Sequence, residues 1–242
     1  METPELLSIG QWRGCLARLS IIVPCLNEAA VIVEGLCALA PLRRQGAELI
    51  LVDGGSSDAT SALAGPWVDR VLRAPPGRAR QMNKGAGEAR GDILLFLHAD
   101  TRLPQNADHL IAGALGGGRV WGRFDVEIEG RHAMLRVVAR LMNLRSRLTG
   151  IATGDQAIFV SRLAFRAIGG YPDIPLMEDI ALSRRLKSLG RPACLCERVT
   201  TSGRRWETHG VWRTILFMWR LRFQYFLGAD PGRLAARYEA RR

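Results

Sequence analysis

The feature that most constrains the fold is a series of short, mainly apolar runs separated by segments of helix length. The runs lie at residues 19–23, 49–52 and 93–97, and they lack the polar alternation of a half-exposed strand. Such runs are typical of parallel strands that are covered on both faces. Helix-length segments lie between them, which is the pattern of right-handed βαβ units. We therefore predict a Rossmann-like three-layer α/β/α domain with a mostly parallel central sheet.

Polar residues follow the ends of the predicted strands. Asn27 is expected to cap the first helix, and Ser57 or Asp58 the second. In open sheets of this kind, ligands bind beyond the carboxyl ends of the strands. Asn27, Asp53 and Asp100 each follow such an end, so we expect them to lie close together at one edge of the sheet.

The third apolar run ends abruptly in His98, Ala99 and Asp100, within "LLFLHAD". A carboxylate such as Asp100 suits Mg²⁺ or Mn²⁺, and these ions commonly bridge one or two protein carboxylates to a diphosphate. Arg78, Arg80 and Lys84 offer cationic contacts to the same phosphates. Taken singly, these residues are more often turn residues, packed histidines or a solvated basic face. Their order and their place on the predicted sheet favour a binding site.

The composition favours anionic partners. The net charge is +11 at pH 7, and almost all of the basic residues are arginines, since Lys84 and Lys187 are the only lysines. Nucleotide phosphates, nucleic acid and an acidic membrane surface all fit such a charge. The five cysteines lack metal-type spacing and indicate a reducing compartment. Residues 1–18 lack the apolar segment of a secretory signal, so we expect a cytoplasmic protein, with the inner face of the membrane as a second candidate location.

Residues 211–228 predict an unusually apolar helix. This helix is not expected to span a membrane, because it contains Arg213, Arg220 and Arg222. Arginines at the centre of a bilayer are unfavourable by several kcal/mol. Arg213, Arg220 and Gln224 form one narrow polar stripe, while Arg222 lies on the opposite side. Three interpretations remain open: packing on the same chain, dimerisation, or an interfacial position beside anionic lipid.

Five segments together resemble the family 2 glycosyltransferases of the GT-A fold. They are "SIIVPCLNEAAVI", "LILVDGGSSDAT", "GRARQMNKGAGEARGDILLFLHADT", "GDQAIFV" and "MEDIALSRRL". The resemblance runs from about Leu19 to Trp206 and keeps the order of the motifs. The family's usual D-x-D signature is replaced here by H-A-D, which leaves Asp100 as the principal metal ligand. We expect an N-terminal extension (1–18), a GT-A domain (19–206) and an amphipathic C-terminal helical segment (207–242).

The resemblance implies inverting transfer of a sugar from a nucleoside-diphosphate donor, of which UDP-sugars are the commonest in the family. Asp53 would bind the base or ribose, with Asn27 and Glu28 shaping that pocket. Asp100 would hold Mn²⁺ or Mg²⁺ on the diphosphate, and Asp179 would be the general base. The residues expected to bind the donor are Pro24, Asn27, Glu28, Asp53, Gly54, Ser56, Arg78, Gln81, Lys84, His98, Ala99, Asp100, Arg204, Arg205 and Trp206.

Other residues complete the expected site. The segment Arg204-Arg205-Trp206 is similar to an element that closes over the diphosphate in relatives; a basic loop anchored by one buried Trp is the alternative. Glu178 and Asp179 start a predicted helix and form the expected catalytic pair. The expected sugar or acceptor pocket is formed by Gly154, Asp155 and Gln156. The expected additional metal ligand is His209.

Other functions fit the sequence less well. A sugar-nucleotide pyrophosphorylase needs a glycine-rich loop with Arg and Lys after the first strand, and "PCLNEAAV" lacks it. A dinucleotide dehydrogenase needs a G-x-G-x-x-G turn there. A basic binding module for anionic membrane or nucleic acid, with a degenerate site, is the main alternative, although no nucleic-acid-binding motif is present and no nucleic acid is expected. The acceptor is unknown, with lipid-linked compounds among the candidates, and residues 208–228 are the expected contact with a membrane surface or a second subunit.

Overall fold

The structure, a computed structural model, describes residues 17–240. The strands are β1 (Leu19–Cys25), β2 (Glu48–Asp53), β3 (Arg70–Arg73), β4 (Ile93–Phe96), β5 (Thr101–Arg102), β6 (Trp121–Glu129), β7 (Ile158–Ser161) and β8 (Ala193–Ser202). The helices are α1 (Ile32–Arg44), α2 (Thr60–Ala64), α3 (Arg78–Glu88), α4 (Ala107–Gly116), α5 (Met134–Thr149), α6 (Arg162–Ala167), α7 (Glu178–Lys187), α8 (Arg204–His209), α9 (Val211–Phe226) and α10 (Pro231–Glu239). Short 3₁₀ turns lie at Gly65–Trp67 and Gly154–Gln156.

The strands form one eight-stranded sheet in the order β3-β2-β1-β4-β7-β6-β8-β5. The strands β3, β2, β1 and β4 are parallel, as the apolar runs predict. The strand β7 is antiparallel to both β4 and β6, whereas β6 and β8 are again parallel. The parallel half brings the carboxyl ends of β1, β2 and β4 to one edge, where Cys25 pairs in register with Asp53.

Helices cover both faces of the sheet, which confirms the predicted three layers. One core cluster packs Ile21 of β1 against Leu36 of α1 and includes residues of α4 and α5. The other packs Ile22 of β1 against Met82 of α3 and includes residues of α6 and α7. Alternate side chains of β1 therefore enter different clusters, and each fully buried Ile contributes ~1.5–3 kcal/mol by leaving water. This burial on both sides explains why the strand sequence is apolar without alternation.

The loops after β1 and β2 differ from the predicted helix caps. Asn27 does not cap α1, which begins at Ile32. Instead, Asn27 has a left-handed backbone (φ 55°), and its Oδ1 accepts hydrogen bonds from the Ser57 N–H (2.9 Å) and hydroxyl (3.2 Å). Asp58 accepts the Thr60 N–H (3.0 Å) but does not occupy the cap position of α2. The cap predictions were wrong because these polar groups connect one loop to the other.

The C-terminal helices pack on the rest of the chain through one side only. Val211 and Ile215 of α9 join the first core cluster, while Leu221 packs with Leu234 of α10 and with Met177. Within residues 17–240, no helix has the length and apolar character needed to cross a bilayer. Large apolar residues on the outer side of α9 remain exposed: Trp212, Leu216, Trp219, Phe223 and Phe226.

Two glycines of α3 provide a matched test of the helix–sheet packing. An added Cβ at Gly85 would lie 2.5 Å from Ile22 Cγ2 and 3.0 Å from Val52 Cγ2, whereas at Gly87 it would meet nothing within 4 Å. We expect Gly85→Ala to lower the free energy of unfolding by ~1–3 kcal/mol through overpacking. Gly87→Ala should raise it by up to ~1 kcal/mol, because Ala favours a helix over Gly. Urea unfolding measures both, and equal stability of the two variants would contradict the close packing of α3.

Candidate active site

A cavity of about 490 Å³ lies at the carboxyl ends of β1 and β4. Part of its wall comes from α9 and α10, including Phe217, Met218 and Tyr238. Its volume is typical of a small-molecule site. The predicted site residues that line it are Pro24, Glu28, Arg78, Gln81, His98, Ala99, Asp100, Gly154, Asp155, Glu178, Asp179 and Trp206. The fold thus collects residues that are far apart in sequence around one space.

Asp100 is positioned by the end of β4 and the start of β5. The strand β4 stops at Phe96, and Asp100 immediately precedes β5, where Thr101 pairs with Thr201 of β8. The Thr101 hydroxyl also donates to the Thr201 hydroxyl (3.2 Å). Both the backbone and a side chain therefore hold the residue after Asp100, whose half-buried side chain lies at the cavity.

His98 pairs with Asp155 across the cavity floor. Its Nδ1 lies 3.3 Å from Asp155 Oδ1, and its ring packs over Gly154, where an added Cβ would collide with it. Burial raises the pKa of Asp155, but the hydrogen bond from His98 and the charges of His98, Arg78 and Arg222 outweigh it and hold that pKa at about 2. The histidine of the H-A-D motif therefore connects the end of β4 to the turn at Gly154.

Asp179 is held by backbone amides at the start of α7. The Gly154 N–H donates to its Oδ2 (2.9 Å), and the Ile180 N–H donates to its Oδ1 (2.7 Å). Met177, just before α7, has a left-handed backbone with φ 68°, which is unfavourable for such a residue by ~1–3 kcal/mol. Met177 is buried against Leu221 of α9. Packing from the C-terminal helices therefore supports the conformation that leads into the acidic pair.

Glu178 differs from Asp179 in being almost fully buried, with 6% of its surface exposed. Burial and the nearby charge of Asp179 raise the pKa of Glu178 to about 7, against the opposing charge of Arg78. A substantial fraction of Glu178 is therefore protonated at neutral pH. The half-buried Asp179, which two amides orient, is the better placed proton acceptor of the pair.

Asp53 lies behind the cavity and organises the loop after β2. Its carboxylate accepts hydrogen bonds from the Ser56 N–H (2.9 Å), the Ser56 hydroxyl (2.6 Å) and the Ser61 hydroxyl (2.7 Å). Burial raises the pKa of Asp53, but these hydrogen bonds outweigh it and lower the pKa overall. The Ser56 hydroxyl oxygen also accepts the Asn27 N–H (2.9 Å), so these three residues hold the two loops at the strand ends together.

Gln81 fastens α3 to the ends of β1 and β2. Its Nε2 donates to the Cys25 carbonyl (2.7 Å) and to the Val52 carbonyl (2.8 Å). Gly54 lies directly against this amide, since an added Cβ would be 3.1 Å from the Gln81 side chain. Gln81 therefore contributes to the cavity wall while holding two strand ends in place.

Other predicted site residues have different surroundings. Lys84 forms an ion pair with Glu88 (3.1 Å) on α3. Gln156 is fully buried, and its amide donates to Asn143 Oδ1 (3.2 Å) on α5, so it anchors the 154–156 turn. Arg204 is exposed on α8. The predicted residues whose side chains lie outside the described part of the structure are Arg205 and His209.

The residues present fit a metal that is shared with a ligand. Within the described residues, no group of three His, Cys, Asp or Glu side chains is arranged to hold a metal ion. Mg²⁺ is usually bound through one or two carboxylates together with substrate phosphates and waters. Asp100 at the cavity provides such a carboxylate, whereas the Nδ1 of His98 is directed at Asp155.

The contribution of the C-terminal helices was not predicted from the sequence. Arg222 and Phe217 of α9 and Tyr238 of α10 line the same cavity as Asp179. A signal for Arg222 was available, because it lies on the opposite side of the helix from Arg213 and Arg220. No comparable pattern singled out Tyr238.

Comparison with known proteins defines the family to which this chain belongs. The sequence profile "Glycosyl transferase family 2" matches residues 20–163, which is more than half of the chain. The chain therefore belongs to the family 2 glycosyltransferases. It is 26% identical over 253 residues to the probable glycosyltransferase YdaM of Bacillus subtilis (strain 168). This match covers 91% of the chain but only 58% of that relative.

Solved structures show that the fold is of the GT-A type. The mannosyltransferase PcManGT of Pyrobaculum calidifontis, in complex with GDP-Man and Mn²⁺, superposes with a TM-score of 0.57 at 20% identity, covering 79% of this chain and 61% of that one. TarS 1-349 of S. aureus, in complex with UDP-GlcNAc, superposes with a TM-score of 0.60 at 14% identity, covering 76% and 58%. At these identities the likeness concerns the fold.

Glu178 makes the stability of this site depend on pH. The pKa of Glu178 is raised from 4.5 to about 7 in the folded chain, so between these values the folded state keeps a proton that the unfolded state has lost. Its contribution to stability is therefore present below about pH 4.5 and is lost as the pH rises through about 7. We expect the free energy of unfolding, relative to that of Glu178→Gln, to fall by ~1–3 kcal/mol between about pH 5 and about pH 8.

Urea unfolding of both proteins at the two pH values measures this difference. Glu197→Gln is the control, because Glu197 is exposed on β8. It should retain the pH dependence of the unmodified protein. If the free energy of unfolding of Glu178→Gln depends on pH as that of the unmodified protein does, the pKa of Glu178 is not raised in the folded protein.

Proposed function

We propose that this protein is an inverting glycosyltransferase that transfers a sugar from a nucleoside-diphosphate donor, with UDP-sugars as the first candidates, to an acceptor hydroxyl. The observation that carries the proposal is that Asp100 and Asp179 line one cavity from two separate segments, the end of β4 and the start of α7. Inversion needs two sites on opposite faces of the sugar. Membership of the family, and neighbours bound to GDP-Man and UDP-GlcNAc, support this function.

The donor is proposed to bind along the strand ends. Pro24, Glu28 and Gln81 line the part of the cavity beside β1 and would face the nucleoside, while Asp53 shapes the loops from behind. Asp100 would hold a divalent ion, Mn²⁺ or Mg²⁺, on the diphosphate. When bound, this ion neutralises the charge that develops on the leaving diphosphate.

The transfer step is a displacement at the anomeric carbon. The oxygen of the acceptor hydroxyl forms a bond to this carbon while the bond to the diphosphate oxygen breaks, and the diphosphate leaves with the electron pair. Asp179 takes the proton of the hydroxyl. The Gly154 and Ile180 amides fix the orientation of its carboxylate. Because attack occurs opposite the leaving group, the configuration of the carbon is inverted.

Two substitutions separate binding from transfer. Asp179→Asn should retain donor binding and lower transfer by ~10²–10⁴-fold, because it removes the proton acceptor. Asp100→Ala should abolish metal-dependent donor binding. Thermal-shift measurements with UDP- and GDP-sugars, with and without Mn²⁺, report binding, since a ligand of the folded state raises the melting temperature. Release of nucleoside diphosphate in the presence of acceptor candidates reports transfer.

Asp92→Asn is a suitable control, because Asp92 is an exposed carboxylate that faces Arg162. It should change neither binding nor transfer. Normal transfer by Asp179→Asn would exclude Asp179 as the base. Absence of stabilisation by every nucleotide would favour the alternative, a basic binding module with a degenerate sugar-nucleotide site.

The outer side of α9 suggests where the enzyme works. Trp212, Trp219 and Phe223 are exposed on that side, and residues 211–226 contain arginines but no Asp or Glu. Basic helices that expose Trp and Phe are typical of the interface of anionic membranes, where Trp is enriched. The charge of the helix complements anionic lipid, so we assign this side to an anionic membrane surface at the inner face of the membrane rather than to a second subunit.

Vesicle binding tests this assignment. We expect the protein to sediment with vesicles that contain phosphatidylglycerol and not with pure phosphatidylcholine. Trp219→Ala should weaken this binding by ~10-fold or more, because a large apolar side chain no longer enters the interface. Leu163→Ala, at an exposed apolar residue of α6, is the control. A dimer in solution that Trp219→Ala dissociates, without vesicle binding, would show that the outer side of α9 is a subunit interface.

A further inference from the structure

Two arginines beside the cavity have buried nitrogen atoms without hydrogen-bond partners. They are Arg145 on α5, with its Nε and Nη2, and Arg222 on α9, with its Nε. Arg222 lines the cavity. Within the described residues, neither arginine forms an ion pair with a carboxylate. The reaction as described above uses neither of them.

The two guanidinium groups lie close enough to repel each other. Burial, followed by the positive charge of Arg222, lowers the pKa of Arg145 to about 10. The carboxylates that act on Arg145 are those of Asp179 and Asp155. Both carboxylates already have partners, since backbone amides bind Asp179 and His98 binds Asp155. These carboxylates therefore act on the arginine pair through their charge, while Nε and Nη2 of Arg145 and Nε of Arg222 remain without hydrogen-bond partners.

Such an arrangement is unfavourable in the free protein. A buried polar nitrogen without a partner has lost its hydration and gained no hydrogen bond, and a second like charge nearby adds repulsion. An anion bound in the cavity beside Arg222 and within reach of Arg145 would offset the repulsion and supply hydrogen-bond acceptors. Guanidinium groups present paired N–H donors that match the oxygens of a phosphate, and the two positive charges of the pair match a phosphate dianion.

We propose that Arg145 and Arg222 bind a phosphate group carried by the acceptor. The inference rests on the proposed function, because it assigns the acceptor chemistry of that same site. Arg222 lines the same cavity as Asp179, and the charge of Asp179 acts on Arg145, so the pair lies near the proposed proton acceptor, whereas the donor diphosphate is assigned to Asp100. The acceptor is accordingly a phosphate ester, either soluble or lipid-linked, that presents its hydroxyl to Asp179.

Thermal-shift measurements on the full chain test the site with three phosphate probes. These are inorganic phosphate, glycerol 3-phosphate and short-chain dioctanoyl phosphatidic acid, with dioctanoyl phosphatidylcholine as the lipid control. Each is added alone and again with Mn²⁺ and saturating UDP or GDP, which fill the donor site. We expect phosphate probes to raise the melting temperature in addition to the rise given by the nucleotide.

Substitutions locate the effect. Arg145→Met and Arg222→Met should weaken the apparent affinity for the probes by ~10- to ~100-fold, because each removes charge-assisted hydrogen bonds. Both should keep the stabilisation by nucleotide and Mn²⁺. Arg140→Met, at an exposed residue of the same helix α5, should bind the probes as the unmodified protein does.

A second readout distinguishes a binding role from a structural one. Without ligand, Arg145→Met should melt at the same temperature as the unmodified protein or higher, since it removes an unpartnered charge. A marked fall in melting temperature would show instead that Arg145 holds the fold together, and it would overturn the proposal.

The probes also separate the two sources of phosphate. Stabilisation by glycerol 3-phosphate supports a soluble ester, and stabilisation by phosphatidic acid alone supports a lipid-linked one. The proposal is overturned if the nucleotide stabilises the protein but no phosphate probe does, or if both arginine variants respond to the probes normally. If the nucleotide does not raise the melting temperature, this result counts against the proposed function. The phosphate probes then still test the arginine site, because each probe is also added alone.

Discussion

The active-site geometry depends on the short turn Gly154–Gln156, which connects the two sides of the cavity. From this turn the Gly154 amide reaches Asp179 on α7, and the Asp155 carboxylate reaches His98 at the end of β4. Gln156 holds the turn in place by its hydrogen bond to Asn143 on α5. A displacement of the turn would therefore move Asp179 and the end of β4 together, although the two lie about eighty residues apart.

Much of the first half of the fold follows from local sequence, whereas the second half depends on contacts between distant segments. Runs such as Ile93–Leu97 are apolar because helices cover both faces of the sheet, and this predicts both the parallel strands and the position of Asp100. Asn27 was assigned a local capping role because its real partner, Ser57, is thirty residues away. Helical periodicity separates Arg222 from Arg213 and Arg220. It does not show that this side of α9 faces the cavity, because that depends on packing against Met177 and Leu234.

The two sides of the helix α9 have different surroundings. Its inner side buries Leu221 beside Met177 and presents Arg222 to the cavity, whereas its outer side exposes Trp212 and Trp219. An apolar sequence around most of a helix usually indicates complete burial. In this structure, α9 instead forms a layer one helix thick that separates the cavity from the surroundings of the protein. Any partner that contacts the outer side is therefore separated from the site by a single helix.

The left-handed conformation of Met177 also bears on the order in which the walls of the cavity form during synthesis. Residues 19–161 contain all of the sheet except β8, and they leave the ribosome before the segments that bury Met177. The unfavourable backbone at Met177 is therefore supported only after α9 and α10 have been added. A growing chain can form most of the cavity edge of the sheet early, whereas the conformation that leads into Glu178 and Asp179 is stabilised later. The acidic pair that follows Met177 therefore gains this support only after residues 211–239 have been synthesised.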